Sequence, residues 1–251
     1  MLYDELFARS ELLVGAEAMK QITSKKVILF GVGGVGSWCA EGLIRSGIMD
    51  LTIVDPDHVA APNINRQLQA TTNTIGELKV DVLKKRLQEI NPVALISSIN
   101  KIYDCESSDS FQLEKYDYII DAIDSLSNKI HLLVTASKTD ATIFSSMGAG
   151  LKLDPLKIKV TEFWKVRGCK LAAALREKMK KGEQTVKPIL CVFSEEIQKN
   201  RGENISINTD EDGSFKKVRI NGTMVHVTAV FGFTLSGLVI QDIIQKTAQF
   251  S

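Results

Sequence analysis

Arg66, Lys79 and Asp124 are the side chains that could do chemistry, because each stands downstream of a turn built to hold phosphate. Gly31, Gly33 and Gly36 have G-x-G-x-x-G spacing within KVILFGVGGVGSW (Lys26 to Trp38), and Gly34 is a fourth glycine. Such a turn lets the backbone approach a phosphate and aims the N–H groups of the next helix at it. Asp55 ends the following apolar run, LTIVD, about twenty residues on, where an acid can take the two hydroxyls of a ribose. Taken alone, turn and acid predict a dinucleotide-binding dehydrogenase. A dehydrogenase, however, holds a diphosphate that does not react and needs little cationic charge beside it. Moving an adenylyl group means stabilising a crowded α-phosphate and a departing pyrophosphate, which calls for fixed cations and Mg²⁺ on a carboxylate. Arg66 follows Asn63 and Asn65 in PNINRQ, Lys79 closes IGELK, and Asp121 and Asp124 straddle the end of YIIDAID, with Ser125 next. Each charge has an ordinary reading as a surface pair, a solvated helix charge or a cap. Their joint placement at one rim favours adenylyl transfer.

Those residues need a scaffold, and the pattern around them supplies one. Strand-like runs fall at Val27–Phe30, Leu51–Val54, Ala94–Ile99, Tyr118–Ile123 and Thr142–Ser146. Helix-like runs fall at Ser37–Ser46, Glu77–Ile90 and Ser125–Lys138. Strand–helix alternation predicts an α/β fold, a Rossmann-like doubly wound sheet, mainly parallel and covered on both faces. Residues 1–25 read as an amphipathic N-terminal helix and arm, 26–150 as the nucleotide domain, and 151–251 as a C-terminal extension. Within that extension LKLDPLKIKVTEF holds a strand-like alternation. Lys165 to Lys187 is a helical stretch with eight Lys or Arg against two Glu. Glu195 to Val218 carries turn signals and predicts a mobile loop. Val225 to Ile244 imitates a membrane helix, but its weakly polar core of about fourteen residues is shorter than the roughly 20 a span needs. A buried helix, against a partner subunit, is the better reading.

Composition sets the remaining bounds. The 251 residues carry a net charge of +1, so any nucleic-acid site must be a local patch. Cys39, Cys105, Cys169 and Cys191 show no C-x-x-C spacing, which argues against structural zinc. The absence of a disulfide pattern, and of a signal peptide in MLYDELFARS, predicts a cytoplasmic protein.

The motifs in this order resemble the ubiquitin-activating-type adenylating superfamily: GVGGVG, Asp55, NINRQ, IGELK and DAID. The resemblance implies that Gly31, Gly33, Gly34 and Gly36 with Asn63, Asn65 and Ser125 contact ATP, and that Asp55 takes its ribose. Arg66 and Lys79 would hold phosphates, and Asp124 would hold Mg²⁺ or orient the α-phosphate. LFARSELLVG matches the superfamily's arginine-finger segment, with Leu6 in place of its first Arg, so Arg9 would reach the site of a neighbouring subunit in a homodimer. The remainder, including SMGAGLKLDPLKIKVTEF, CVFSEE and TAVFGF, resembles the bacterial tRNA threonylcarbamoyladenosine dehydratases. That implies ATP-dependent cyclisation of threonylcarbamoyladenosine beside the anticodon. With a tRNA substrate expected, Lys165, Arg167, Lys170, Arg176, Lys178, Lys180 and Lys181 become phosphate contacts. Cys191 stands between two readings, an acyl-accepting thiol and a buried core cysteine, and the second ranks ahead because no His accompanies it. His58, His131 and His226 are expected to be structural. Two other functions stay open: activation of a ubiquitin-like sulfur carrier, and a non-enzymatic nucleotide-binding scaffold. A sulfur-transfer protein as partner and a bound monovalent cation are open as well.

Overall fold

Strand β1 (Lys26–Phe30) is buried beyond its first residue, as expected of a central parallel strand of β-branched and aromatic residues. The computed structural model describes residues 2–202, 207–209, 215–217 and 221–249. Around β1 stand β2 (Asp50–Val54), β3 (Leu95–Ile99), β4 (Tyr118–Asp121), β5 (Thr142–Ser146), β6 (Ile158–Glu162) and β7 (Leu190–Ser194). They form one seven-stranded sheet in the order β3-β2-β1-β4-β5-β7-β6, in which the edge strand β6 runs antiparallel to β7. The sheet therefore continues past residue 150. β7, which has no counterpart among the strands read from the sequence, pairs in parallel with β5 and carries β6 at the edge.

The chain leaves β1 towards β2 on one side and returns to β4 on the other. That reversal opens a crevice beyond the carboxyl ends of β1 and β4, where open α/β sheets bind ligands. The register aligns Phe30 with Val54 on one side and with Asp121 on the other, so the three strand ends share a rim.

Helices α3 (Gly36–Arg45), α4 (Lys79–Ile90) and α5 (Leu126–Ser137) follow β1, β2 and β4 closely as expected. The N-terminal arm differs from expectation. It is two helices, α1 (Leu2–Val14) and α2 (Ala16–Ser24), broken at Gly15, whose φ of 86° no helix contains. The basic stretch contains α6 (Lys170–Lys181). The long apolar segment is α7 (Val225–Gln249), longer than its apolar core suggested. By length and composition α7 could cross a membrane, yet half of its most apolar window is buried inside this fold. It lies on α3 so closely that a Cβ at Gly232 would stand 2.5 Å from the Val35 carbonyl oxygen. Glycine is the residue that admits this contact.

The stretch 195–218, read from the sequence as a mobile loop, contains a short paired segment. Ile207–Thr209 (β8) pairs antiparallel with Phe215–Lys217 (β9). At its start the Glu196 carboxylate accepts the N–H groups of Leu153 (2.8 Å) and Asp154 (2.9 Å). Lys152 Nζ donates to the Glu196 carbonyl at 2.7 Å. The rest of that stretch, 203–206, 210–214 and 218, lies outside the described residues.

Candidate active site

A cavity of about 500 Å³ occupies the crevice, and Gly31, Gly33, Gly34, Asp55, Asn63, Arg66, Lys79, Asp124 and Ser125 all line it. A larger hollow of about 810 Å³ opens at the opposite rim, by the amino ends of β4 and β5. Several of its charges are already paired, Lys25 with Asp117 and Lys246 with Asp242. Chemistry rather than volume therefore selects the smaller cavity.

The turn requires its glycines for steric reasons. Gly31 has φ 85°, and a Cβ there would stand 2.7 Å from the Ala122 carbonyl oxygen, so the turn packs directly on the β4 exit. Gly36 does not line the cavity. A Cβ on it would fall 1.8 Å from the Gly31 carbonyl oxygen, so its role is to close the turn. At Gly34 the space a side chain would occupy is taken by the stem of Arg66, 3.1 Å from a Cβ placed there.

Asp55 is buried, and its carboxylate accepts the N–H groups of Val32 (2.8 Å) and Asp57 (3.0 Å). Burial raises its pKa, and the charge of Lys79 works against that rise. The residue thus braces the glycine turn as well as facing the cavity. Lys79 opens α4, with Nζ 2.7 Å from Asp57 Oδ2 and 3.8 Å from Asp55 Oδ1. Sequence reading passed over Asp57; the D-P-D spacing after β2 was its signal.

Arg66 Nη1 donates to the Pro62 carbonyl (2.8 Å) and to Asn65 Oδ1 (2.9 Å). Its own carbonyl accepts Trp38 Nε1–H at 3.0 Å. Burial lowers its pKa and the Asp124 carboxylate opposes that shift; both side chains line the cavity. Arginine stays charged regardless. Asn65 does not line the cavity; Nδ2 donates to the Thr223 carbonyl at 3.1 Å while Oδ1 orients Arg66. Asn63 lines the wall, but its Oδ1 accepts the Ala60 N–H at 3.0 Å and secures the loop. Trp38 and Asn65 are thus supports for Arg66 that local spacing did not reveal.

Asp121 and Asp124 do not act at one rim together. Asp121 is turned fully inward, 2.6 Å from Lys129 Nζ, and only Asp124 lines the cavity. Cys191 lies inside β7 with no exposure; burial pushes its thiol pKa up, and it stands apart from the cavity lining. Arg9, on α1, is exposed and lies outside this chain's own cavity. None of His58, His131 and His226 lines it.

Beyond β5 the wall becomes uncharged, with Met147, Gly148, Ala149 and Leu171. Leu171 belongs to the first turn of α6, so the basic helix starts at the cavity and leads away from it. Lys165, Arg167, Lys170, Lys178, Lys180 and Lys181 are exposed. Arg176 is partly buried and donates to the Phe163 carbonyl at 3.2 Å, and Lys181 lies 3.3 Å from Glu177.

Among the described residues no three His, Cys, Asp or Glu side chains gather as a metal cage. The carboxylates that line the cavity are those of Asp55, Asp57 and Asp124.

A cationic pair and a carboxylate at the switch point of a parallel sheet belong to nucleotide-dependent phosphorus chemistry rather than to hydride transfer. The chain belongs to the ThiF family, whose model matches residues 7–250. It is 34% identical over 241 residues to the tRNA threonylcarbamoyladenosine dehydratase of Bacillus subtilis, covering 95% of this chain and 94% of that one. The Escherichia coli tRNA N6-threonylcarbamoyladenosine dehydratase TcdA, solved in complex with ATP, superposes with a TM-score of 0.87 at 30% identity, covering 99% and 97% of the two chains. Similarity to the sulfur carrier protein adenylyltransferase of Thermus thermophilus is 31% over 112 residues, 45% of this chain and 41% of that one.

Proposed function

We propose that this chain catalyses the ATP-dependent cyclisation of threonylcarbamoyladenosine in tRNA. The observation that carries this reading is one of extent. Likeness to the dehydratases runs through nearly the whole chain, whereas likeness to a sulfur-carrier adenylyltransferase stops within less than half of it. The cavity suits the chemistry. The threonyl carboxylate attacks the α-phosphorus of ATP and pyrophosphate leaves. A nucleophile of the same modified base then closes on the acyl-adenylate and releases AMP, so the oxygen lost from the substrate departs on AMP. Both reacting groups of the second step belong to one substrate, and holding them in contact supplies much of the acceleration.

Within the cavity the turn at Gly31, Gly33 and Gly34 cradles phosphate and Asp55 takes the ribose. Arg66 and Lys79 balance the charge that builds on the phosphates. Asn63 and Ser125 shape the wall. Mg²⁺, held at Asp124, would neutralise the leaving pyrophosphate. The apolar wall of Met147, Ala149 and Leu171 suits the acyl half of the substrate. Anticodon-stem phosphates would run along α6, over Lys170, Lys178, Lys180 and Lys181. Arg9 is exposed on α1, outside its own chain's cavity, and suits the site of a second subunit. The protein is thus proposed to be a homodimer in which the partner subunit's Arg9 completes each site. A cytoplasmic setting agrees with four free cysteines.

The test is nucleoside mass spectrometry on tRNA carrying threonylcarbamoyladenosine, incubated with the purified protein, ATP and Mg²⁺. The expected product is lighter by one water, with AMP and pyrophosphate released. An unchanged mass, with AMP formed instead on a ubiquitin-like carrier, would move the protein to the sulfur-carrier branch. The shared site is tested by mixing Arg9→Ala with Asp124→Ala protein: hybrid dimers should regain activity, and no recovery despite proven subunit exchange refutes it.

A further inference from the structure

Lys129 and Asp121 form an ion pair of 2.6 Å with both side chains at 0% exposure. Burying two charges is costly and is often bettered by a hydrophobic pair, so stability alone is a weak reason for such a contact. Its other bonds indicate a use. Asp121 Oδ1 accepts the Ile123 N–H at 3.1 Å, and Lys129 Nζ donates to the Ile123 carbonyl at 3.0 Å. The pair therefore grips the backbone donor and the backbone acceptor of Ile123, the residue before Asp124. Ser145, opposite Asp121 on β5, donates its hydroxyl to Asp121 Oδ2 at 2.6 Å and holds the carboxylate in place. One residue earlier, the Ala122 N–H donates to the Phe30 carbonyl at 2.8 Å. Every link of the short connection between β4 and α5 is thus fixed up to the peptide that joins Ile123 to Asp124.

We infer that the buried Asp121–Lys129 pair, steadied by Ser145, is a positioning device that sets the peptide before Asp124 and so aims its carboxylate into the nucleotide cavity. The inference rests on the reading of Asp124 as the carboxylate that meets Mg²⁺ and the phosphates. Groups that orient a ligating carboxylate typically change affinity or activity by about 10–100-fold when lost.

The test uses the full-length protein and the paired replacement Asp121→Asn with Lys129→Met, which leaves no lone buried charge. ATP affinity is measured by equilibrium binding with and without Mg²⁺, in the absence of tRNA, alongside kcat and the KM for tRNA. The expected result is near-normal ATP affinity without Mg²⁺, a gain on adding Mg²⁺ that is smaller by about tenfold, a lower kcat and an unchanged KM for tRNA. In an Asp124→Ala background the paired replacement should add nothing, because residues acting through one another are not additive. A normal Mg²⁺ gain in the paired variant, or a full further loss on top of Asp124→Ala, overturns the inference and leaves the pair a structural staple. If Asp124→Ala alone keeps the wild-type Mg²⁺ gain and turnover, the reading of Asp124 fails and the inference falls with it. Should the paired variant not fold, Ser145→Ala decides by the same comparison. Its Mg²⁺ gain should fall by roughly threefold to tenfold, and an undiminished gain overturns the inference.

Discussion

Lys79 and Asp57 are joined by an ion pair of 2.7 Å at the mouth of the nucleotide cavity, with the lysine side chain buried and the aspartate side chain 62% exposed. The cation proposed to meet phosphate thus has a solvent-screened partner that a nucleotide could displace. Asp55, 3.8 Å away, stays as a second counter-charge. Asp57→Asn should therefore tighten ATP binding by a few fold at low salt, the range of an exposed pair worth about 0.2–1 kcal/mol. Titration calorimetry at two ionic strengths checks this. Weaker binding in the variant would mean that Asp57 instead holds Lys79 in its working direction.

Arg66→Ala, Lys79→Ala and Asp124→Ala should each cut AMP formation by a factor of hundreds, since one preorganised charge at a developing oxyanion is worth about 3–4 kcal/mol. Circular dichroism should show an intact fold in all three. Asp55→Asn should act mainly on ATP affinity. Its carboxylate also braces Val32 and Asp57, so a modest fall in Tm should accompany the loss. Near-normal turnover of Asp124→Ala would remove its assigned role.

Cys191→Ala should retain most cyclisation activity. The thiol is sealed in β7 and its pKa is raised by burial, so it is a poor nucleophile. Brief alkylation of the native protein, read by peptide mass spectrometry, should mark exposed Cys105 well before the buried Cys39, Cys169 and Cys191. A complete block in Cys191→Ala, with acyl-adenylate accumulating, would establish a thioester step.

Binding to tRNA should weaken steeply with salt, with a log–log slope of roughly −3 to −4 for about four phosphate contacts. Reversing the charge at Lys178, Lys180 and Lys181 should flatten that slope and raise the KM for tRNA, while ATP affinity stays within error. Filter binding across a salt series provides the measurement. An unchanged slope would leave α6 a solvated helix face.

Glu196 supplies a pH-dependent clamp. The N–H of Asp154, the amide of Gln198 and the N–H of Leu153 hold its pKa down to about 2. A carboxylate whose folded pKa lies below its unfolded value of about 4.3 stabilises the fold above that value. The contribution fades as pH falls towards 2. Glu196→Gln should thus lower Tm at pH 7, and the difference from wild type should shrink below about pH 4. The effect is small because the group is solvent-screened. A pH-independent difference would assign the loss to packing.

Local pattern was enough for the central frame and for the types of residue at the site. Buried parallel strands announce themselves as apolar runs, and a glycine turn, a strand-ending acid and the cations after it keep their spacing wherever the chain folds. Hence β1 to β5 were legible, as was the gathering of Gly31, Asp55, Arg66, Lys79 and Asp124 along one cavity. Direction and partnership were not. Asp121 and Asp124 look alike in DAID, yet one points inward to Lys129 and the other lines the cavity. Trp38 reaches the Arg66 carbonyl and Asn65 the Thr223 carbonyl across 28 and 158 residues of chain. β7 slots between β5 and β6 and so buries Cys191. Spacing along a chain records which groups lie near one another in sequence. Which way a side chain turns at a strand end, and what meets it there, depends on elements brought in from elsewhere, and only the packed tertiary structure decides that.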